Sequence, residues 1–180
     1  MANLPTLRLF FALWPPPAVA AALQRVATEI ARSGGRPMRV ETLHMTLDFV
    51  GAIAADRLPA LIAAAAGIRA PEFALTLDRL EYVRRKGIVW IACSESPPAL
   101  AALASDLKAS LRRDCGLNPE LRFLAHMTLL RNVHTAPSLP AVPPLVWPVH
   151  DFRLIRSETR PQGAHYTEVA RWPLCVLAPG

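Results

Sequence analysis

The tetrapeptide His44-Met45-Thr46-Leu47 occurs twice in this chain, the second time as His126-Met127-Thr128-Leu129, 82 positions further on. Histidine and methionine are scarce here, with five and four copies. A second copy of the word by chance is expected about once in a thousand chains of this composition. Each copy follows a helix-forming stretch and lies in a strand-forming one. The repeat predicts two similar halves related by a pseudo-twofold axis, each giving one copy to a shared cleft.

Residues two apart in a strand share a face. His44 and Thr46 should therefore project together while Met45 and Leu47 enter a core, and likewise for His126 and Thr128 against Met127 and Leu129. A lone histidine in an apolar strand is usually just packed; the matched pair points to chemistry. An imidazole titrates near neutrality, so one can act as base while the other acts as acid. Opening a cyclic phosphodiester needs both, on opposite sides of phosphorus, because attack and departure are roughly in line. Two threonine hydroxyls beside them can hold the non-bridging oxygens. A zinc site fits poorly, since no third Cys, His, Asp or Glu stands at ligand spacing. Asp48 lies an even step from His44 and is expected on its face.

The rest of the chain reads as α+β. Thr6 to Trp14 forms a strand stopped by Pro15 to Pro17, and Ala18 to Ala31 an amphipathic helix ended by Ser33-Gly34-Gly35. Leu43 to Val50 is a strand and Ala55 to Ala66 a helix. Phe73 to Leu77 and Ile88 to Ala92 read as paired strands, with Arg84, Arg85, Lys86 and Gly87 turning between them. Pro97 to Arg113 is a third helix and His126 to Arg131 a strand. The five prolines of 136–148 read as a stiff surface connection. His150 to Ser157 and Tyr166 to Ala170 close the chain as strands. Many strands follow too closely for parallel crossovers, so the sheets should be largely antiparallel. The prediction is one bilobal domain over residues 1–180, with sheets lining a central cleft and helices outside.

Composition bounds the partners. The formal charge is +6 and cations are 18 Arg to 2 Lys, which favours a phosphate-bearing partner. No apolar run is long enough for a membrane span. Leu4 to Leu13 is apolar, but Arg8 interrupts it, so we read a first strand rather than a signal peptide and expect a cytoplasmic monomer. Cys93, Cys115 and Cys175 read as reduced, mostly buried thiols.

At its paired motifs the chain resembles the 2H phosphoesterase superfamily. It is most similar to the RNA 2′,3′-cyclic phosphodiesterase family, also called the 2′-5′ RNA ligase family. The likeness runs almost end to end. It takes in Arg8 to Ala12, Gly35-Arg36-Pro37, Leu43 to Leu47 with Phe49 and Gly51, Phe73 to Asp78, Phe123 to Arg131, and Tyr166-Thr167 with Trp172. The resemblance implies hydrolysis of RNA 2′,3′-cyclic phosphate ends to a 2′-phosphate, with no metal and no cofactor, and a weak reversible 2′-5′ joining of RNA ends without ATP. It implies a catalytic set of His44, Thr46, His126 and Thr128, with Arg131 on the phosphate side. The family usually has proline before the second histidine; Ala125 stands there.

Arg131 lies five residues beyond His126, an odd step, so only a bulge or the strand's end would bring it to the phosphate. Tyr166 could stack on a base; Phe11 and Phe49 are expected in the core. Arg84, Arg85 and Lys86 read equally well as contacts to RNA backbone or as a solvated turn. The competing readings are a phosphoesterase of another small cyclic phosphate and a non-catalytic RNA-binding module.

Overall fold

A computed structural model of the chain describes residues 5–118, 123–161 and 163–176. In chain order they form β1 (Thr6–Leu13), α1 (Pro17–Ala31), β2 (Arg36–Pro37), β3 (Met45–Ala54), α2 (Leu58–Ala66), β4 (Phe73–Leu77), β5 (Arg79–Val83), β6 (Ile88–Ala92), α3 (Pro98–Cys115), β7 (Met127–Arg131), β8 (Leu145–Val149), β9 (Asp151–Arg160) and β10 (Gly163–Pro173). The class is α+β, and these strands pair antiparallel throughout.

The helices begin where proline permits. Pro17 and Pro98 occupy the first turns of α1 and α3, where a missing N–H costs nothing. Val19, Leu23, Ala27 and Ile30 of α1 are buried, as are Leu100, Leu103, Leu107 and Leu111 of α3. These stripes cover one face of the main sheet, meeting Leu9, Phe11, Leu13, Met45, Leu47, Met127 and Leu129 in a single core. Each fully buried leucine there contributes roughly 1.5–3 kcal/mol. No described helix is long and apolar enough to cross a membrane.

The main sheet runs β10-β9-β1-β3-β7-β6-β5, with β2 beside β7. β1 lies on β3 through Leu13–Met45, Ala12–Thr46 and then Phe11–Asp48, which leaves Leu47 as an extra residue. β6 lies on β7 through Ile91–Met127, Trp90–Thr128 and then Val89–Leu130, which leaves Leu129 as an extra residue. The two motif strands therefore repeat pairing and bulge at the same place. They meet each other at Met45–Met127.

β3 and β7 join the two halves into one sheet. Two readings need correction. Phe73–Leu77 does not pair with Ile88–Ala92: it pairs with Leu145–Val149 in a separate two-stranded sheet. The neighbours of β6 are β7 and β5, the latter a strand hidden in the sequence by its charged Arg79 and Glu81. The proline-rich stretch ends in a strand, not a bare connection. There Trp147 and Val149 point inward and Val146 and Pro148 outward. β8 has a free edge, so the missing N–H of Pro148 breaks no ladder.

Gly35 carries the chain from α1 across the end of β7 at φ +92°. A Cβ there would come within 2.6 Å of Val133 Cγ2 and 3.3 Å of the Arg131 carbonyl oxygen. The close approach, as well as the left-handed backbone, requires glycine.

Candidate active site

One cleft has a volume of about 1050 Å³, and its lining includes His44, Thr46, His126, Thr128, Arg131 and Tyr166. The six site residues expected from the sequence are thus gathered in one place. Their backs are dry: Met45, Met127 and Leu129 are fully buried and Leu47 nearly so. Extending the Met45–Met127 register by one residue sets His44 opposite Thr128, and Thr46 opposite His126. All four of these side chains line the one cleft.

The imidazoles are oriented in the same way. His44 Nδ1 lies 2.7 Å from the Thr42 carbonyl oxygen, and His126 Nδ1 lies 2.8 Å from that of Leu124. A carbonyl only accepts, so Nδ1–H must donate in both. Nε2 is then left for the cleft in both rings. The motif itself builds this, because the carbonyl two residues upstream is the partner each time.

The surroundings differ. His44 sits in an aromatic box: Trp14 stacks on it at 5.5 Å and 11°, Phe10 lies at 4.9 Å, and Tyr166 meets it edge-on at 5.2 Å. His126 has Trp90 at 4.3 Å. Trp90 holds the place that Ala12 holds in the other half, so the exchange of Ala for Trp accounts for part of this asymmetry. Burial is the main reason the His44 pKa falls from 6.5 to about 4, with Arg131 and His126 adding to the fall and the Thr42 hydrogen bond opposing it. His126 is lowered as well, first by burial and then by Lys86 and Arg131, against its hydrogen bond to Leu124. Burial raises Tyr166, with Arg131, Arg8 and Arg39 pulling the other way.

The His44 shift makes stability depend on pH. Folding favours the neutral ring, so the unfolded chain binds more protons between pH 6.5 and about 4. The contribution is complete above 6.5 and is lost as pH falls toward the folded value. Between about pH 7 and pH 5 the loss is at most about 2 kcal/mol. Denaturant melts of wild type and His44→Phe should separate this from carboxylate titration: the variant's stability should fall less over that interval. Parallel curves for the two proteins would remove His44 as the cause.

Arg131 reaches the cleft because of the bulge. A regular strand would aim it to the core side, but Leu129 and Leu130 both face the core and are both fully buried. The extra residue restores Arg131 to the face of Thr128. The matching bulge at Leu47 turns Phe49 to the face of Phe10, 5.9 Å away between ring centroids. Phe49 is 62% exposed, which corrects its expected place in the core; Phe11 is fully buried, as expected. The bulge also carries Asp48 opposite Phe11; it is buried there, and it lines the cleft together with His44 and Thr46, in line with the even-step expectation. Tyr166 packs against Phe10, Trp14 and His44 rather than standing free for a base.

Sequence reasoning missed Trp14 and Trp90 as the walls behind the histidines, and Lys108 on α3, which also lines the cleft. No spacing rule marks such residues, which reach the site from β1, β6 and α3. Among the described residues no group of three His, Cys, Asp or Glu could hold a metal ion. Cys93 and Cys115 are buried free thiols whose pKa values are pushed up by burial; Cys175 is exposed.

Comparison with known proteins agrees with this geometry. Residues 13–90 match the family model described as LigT like Phosphoesterase. The chain is 34% identical to an RNA 2′,3′-cyclic phosphodiesterase of Escherichia coli K12, over 93% of this chain and 96% of that protein. It is equally identical to a protein of the same name from Thermus thermophilus, over 93% of this chain and 90% of that one. The apo crystal structure of E. coli LigT superposes with a TM-score of 0.83 at 31% identity, over 94% of this chain and 98% of the other. Identity at this level, over nearly the whole of both chains, places this chain in the LigT-like phosphoesterase family.

Proposed function

We propose that this protein hydrolyses the 2′,3′-cyclic phosphate at RNA 3′ ends, leaving a 2′-phosphate and a free 3′-hydroxyl. The observation that carries the reading is the pair of imidazoles, each anchored at Nδ1 and each free at Nε2 toward one cleft. One imidazole takes a proton from water as its oxygen attacks phosphorus. The other gives a proton to the ribose 3′-oxygen as the P–O3′ bond breaks. Thr46, Thr128 and Arg131 hold the non-bridging oxygens, where charge is greatest in the transition state. With a 5′-hydroxyl in place of water, the same steps run as 2′-5′ joining, driven by release of ring strain instead of ATP. The names of both curated relatives favour RNA over another cyclic phosphate.

The single domain works as a monomer on this reading, since one chain supplies both histidines. The free thiols agree with a reducing cytoplasm. The reading calls on no metal, since the two imidazoles carry both proton transfers. The test is an RNA oligonucleotide ending in a 2′,3′-cyclic phosphate, incubated with and without EDTA, its product assigned by phosphorus NMR. A 2′-phosphate should form at the same rate in both. A 3′-phosphate product would overturn the assignment of the leaving oxygen, and activity lost to EDTA and restored by a divalent ion would overturn the two-histidine chemistry.

A further inference from the structure

Eighteen of the twenty cationic side chains of this protein are arginine; the two lysines are Lys86 and Lys108. Both line the cleft. They come to it from separate elements, Lys86 from the turn between β5 and β6 and Lys108 from the middle of α3. Neither is ion-paired to a described residue, whereas Arg39, Arg113, Arg153, Arg156, Arg160 and Arg171 all are. Lys108 Nζ lies 5.6 Å from the centroid of the Phe123 ring, another residue of the cleft wall. Lys86 is near enough to His126 to lower its pKa. Two ammonium groups with no ion-pair partner among the described residues thus line the cleft, in addition to the cation that the chemistry uses, Arg131.

The cleft is also larger than the reaction needs. A cyclic phosphate and its ribose would fill only part of the cleft's 1050 Å³ between the histidines, and the rest of its lining includes Lys86 and Lys108. The two types of cation differ in what they recognise. A guanidinium is a planar fork that fixes the geometry of the phosphate it binds; an ammonium is a compact charge on a flexible stem that contacts a phosphate without fixing it. Positioning calls for the first at the reacting phosphate. Holding a strand whose sequence varies calls for the second.

We propose that Lys86 and Lys108 form a strand subsite, binding the backbone phosphates that precede the cyclic end of the RNA. The inference rests on the hydrolysis proposed above and narrows it: the preferred substrate is a polynucleotide end rather than a cyclic mononucleotide. Arg84 and Arg85, exposed in the same turn as Lys86, continue the cationic path out of the cleft.

The experiment compares kcat/KM for adenosine 2′,3′-cyclic phosphate with that for a short oligoadenylate carrying the same end, across a salt series. Wild type should favour the oligonucleotide. In Lys86→Gln/Lys108→Gln that preference should shrink roughly tenfold, and the slope of log(kcat/KM) against log[salt] for the oligonucleotide should flatten by about 0.7 for each phosphate no longer neutralised. Lys86→Arg/Lys108→Arg should keep most of both. The mononucleotide serves as the internal reference, because any effect of Lys86 through His126 falls on both substrates alike. An equal fall on both substrates, an unchanged preference in the glutamine variant, or no preference in wild type would overturn the strand subsite. A wild type inert on both substrates would instead bring down the parent reading, and this one with it.

Discussion

Replacing His44 or His126 by alanine should lower kcat for cyclic phosphate hydrolysis by about 10²–10⁴-fold each. The double variant should be hardly worse than either single one, because acid and base act in one step and neither works alone. Thr46→Ala and Thr128→Ala should cost less, each removing one hydrogen bond to a charged group worth roughly 1.5–3 kcal/mol. Binding of RNA should survive in the histidine variants and weaken with salt. Stopped-time assays at saturating substrate, with circular dichroism as the check on folding, decide the matter. Near-normal turnover in His44→Ala, or a variant that unfolds, would restore the packed-histidine reading. The aromatic box makes His44→Phe a useful companion, since it fills the space that alanine leaves empty.

Arg131→Met should lower kcat/KM by roughly 10–10²-fold, from loss of a charge-assisted hydrogen bond to the phosphate worth about 1.5–3 kcal/mol. The methionine keeps the length and volume of the stem, so the fold should stand. Arg131→Lys should recover only part of the loss, because an ammonium cannot span two phosphate oxygens as a fork does. If Arg131→Met had wild-type kinetics, the bulge at Leu129 would be a feature of sheet curvature alone.

Much of this site could be read from the chain because two periodicities were at work in the same four residues. Alternation sent Met45 and Leu47 inward and His44 and Thr46 outward, and repetition said that it happened twice. The helices were legible for a similar reason, their apolar steps being bounded by proline and glycine. What was hidden had no local signature. The pairing of Phe73–Leu77 with Leu145–Val149 joins segments nearly seventy residues apart, and adjacency in sequence favoured a nearer partner. The alternation of Leu145, Trp147 and Val149 was masked by its prolines, which a free sheet edge tolerates. The bulge was written only as the doublet Leu129-Leu130, which reads as apolar strand whether or not an extra residue is present. Parity beyond it was therefore read the wrong way at Arg131, and the matching bulge at Leu47 had the same effect at Phe49. Trp14, the last residue of the expected first strand, gave no sign that it would stack behind a histidine thirty positions away.

The anchoring of both rings at Nδ1 governs what happens between one turnover and the next. On the reading proposed above, hydrolysis ends with the protonation states of the two imidazoles exchanged: the one that began neutral is now charged, and the one that began charged is now neutral. Each ring's inner nitrogen is committed to a carbonyl that cannot accept a second proton, so neither can pass the surplus backward into the sheet. It has to leave through Nε2, into the same space that the product occupies. The 2′-phosphate formed there keeps one proton of the attacking water and is a monoester whose second ionisation lies near pH 6, so it can give that proton to the neutral Nε2 as it departs while the charged Nε2 releases its own to the water that enters. Clearing the site and recharging it are then a single event.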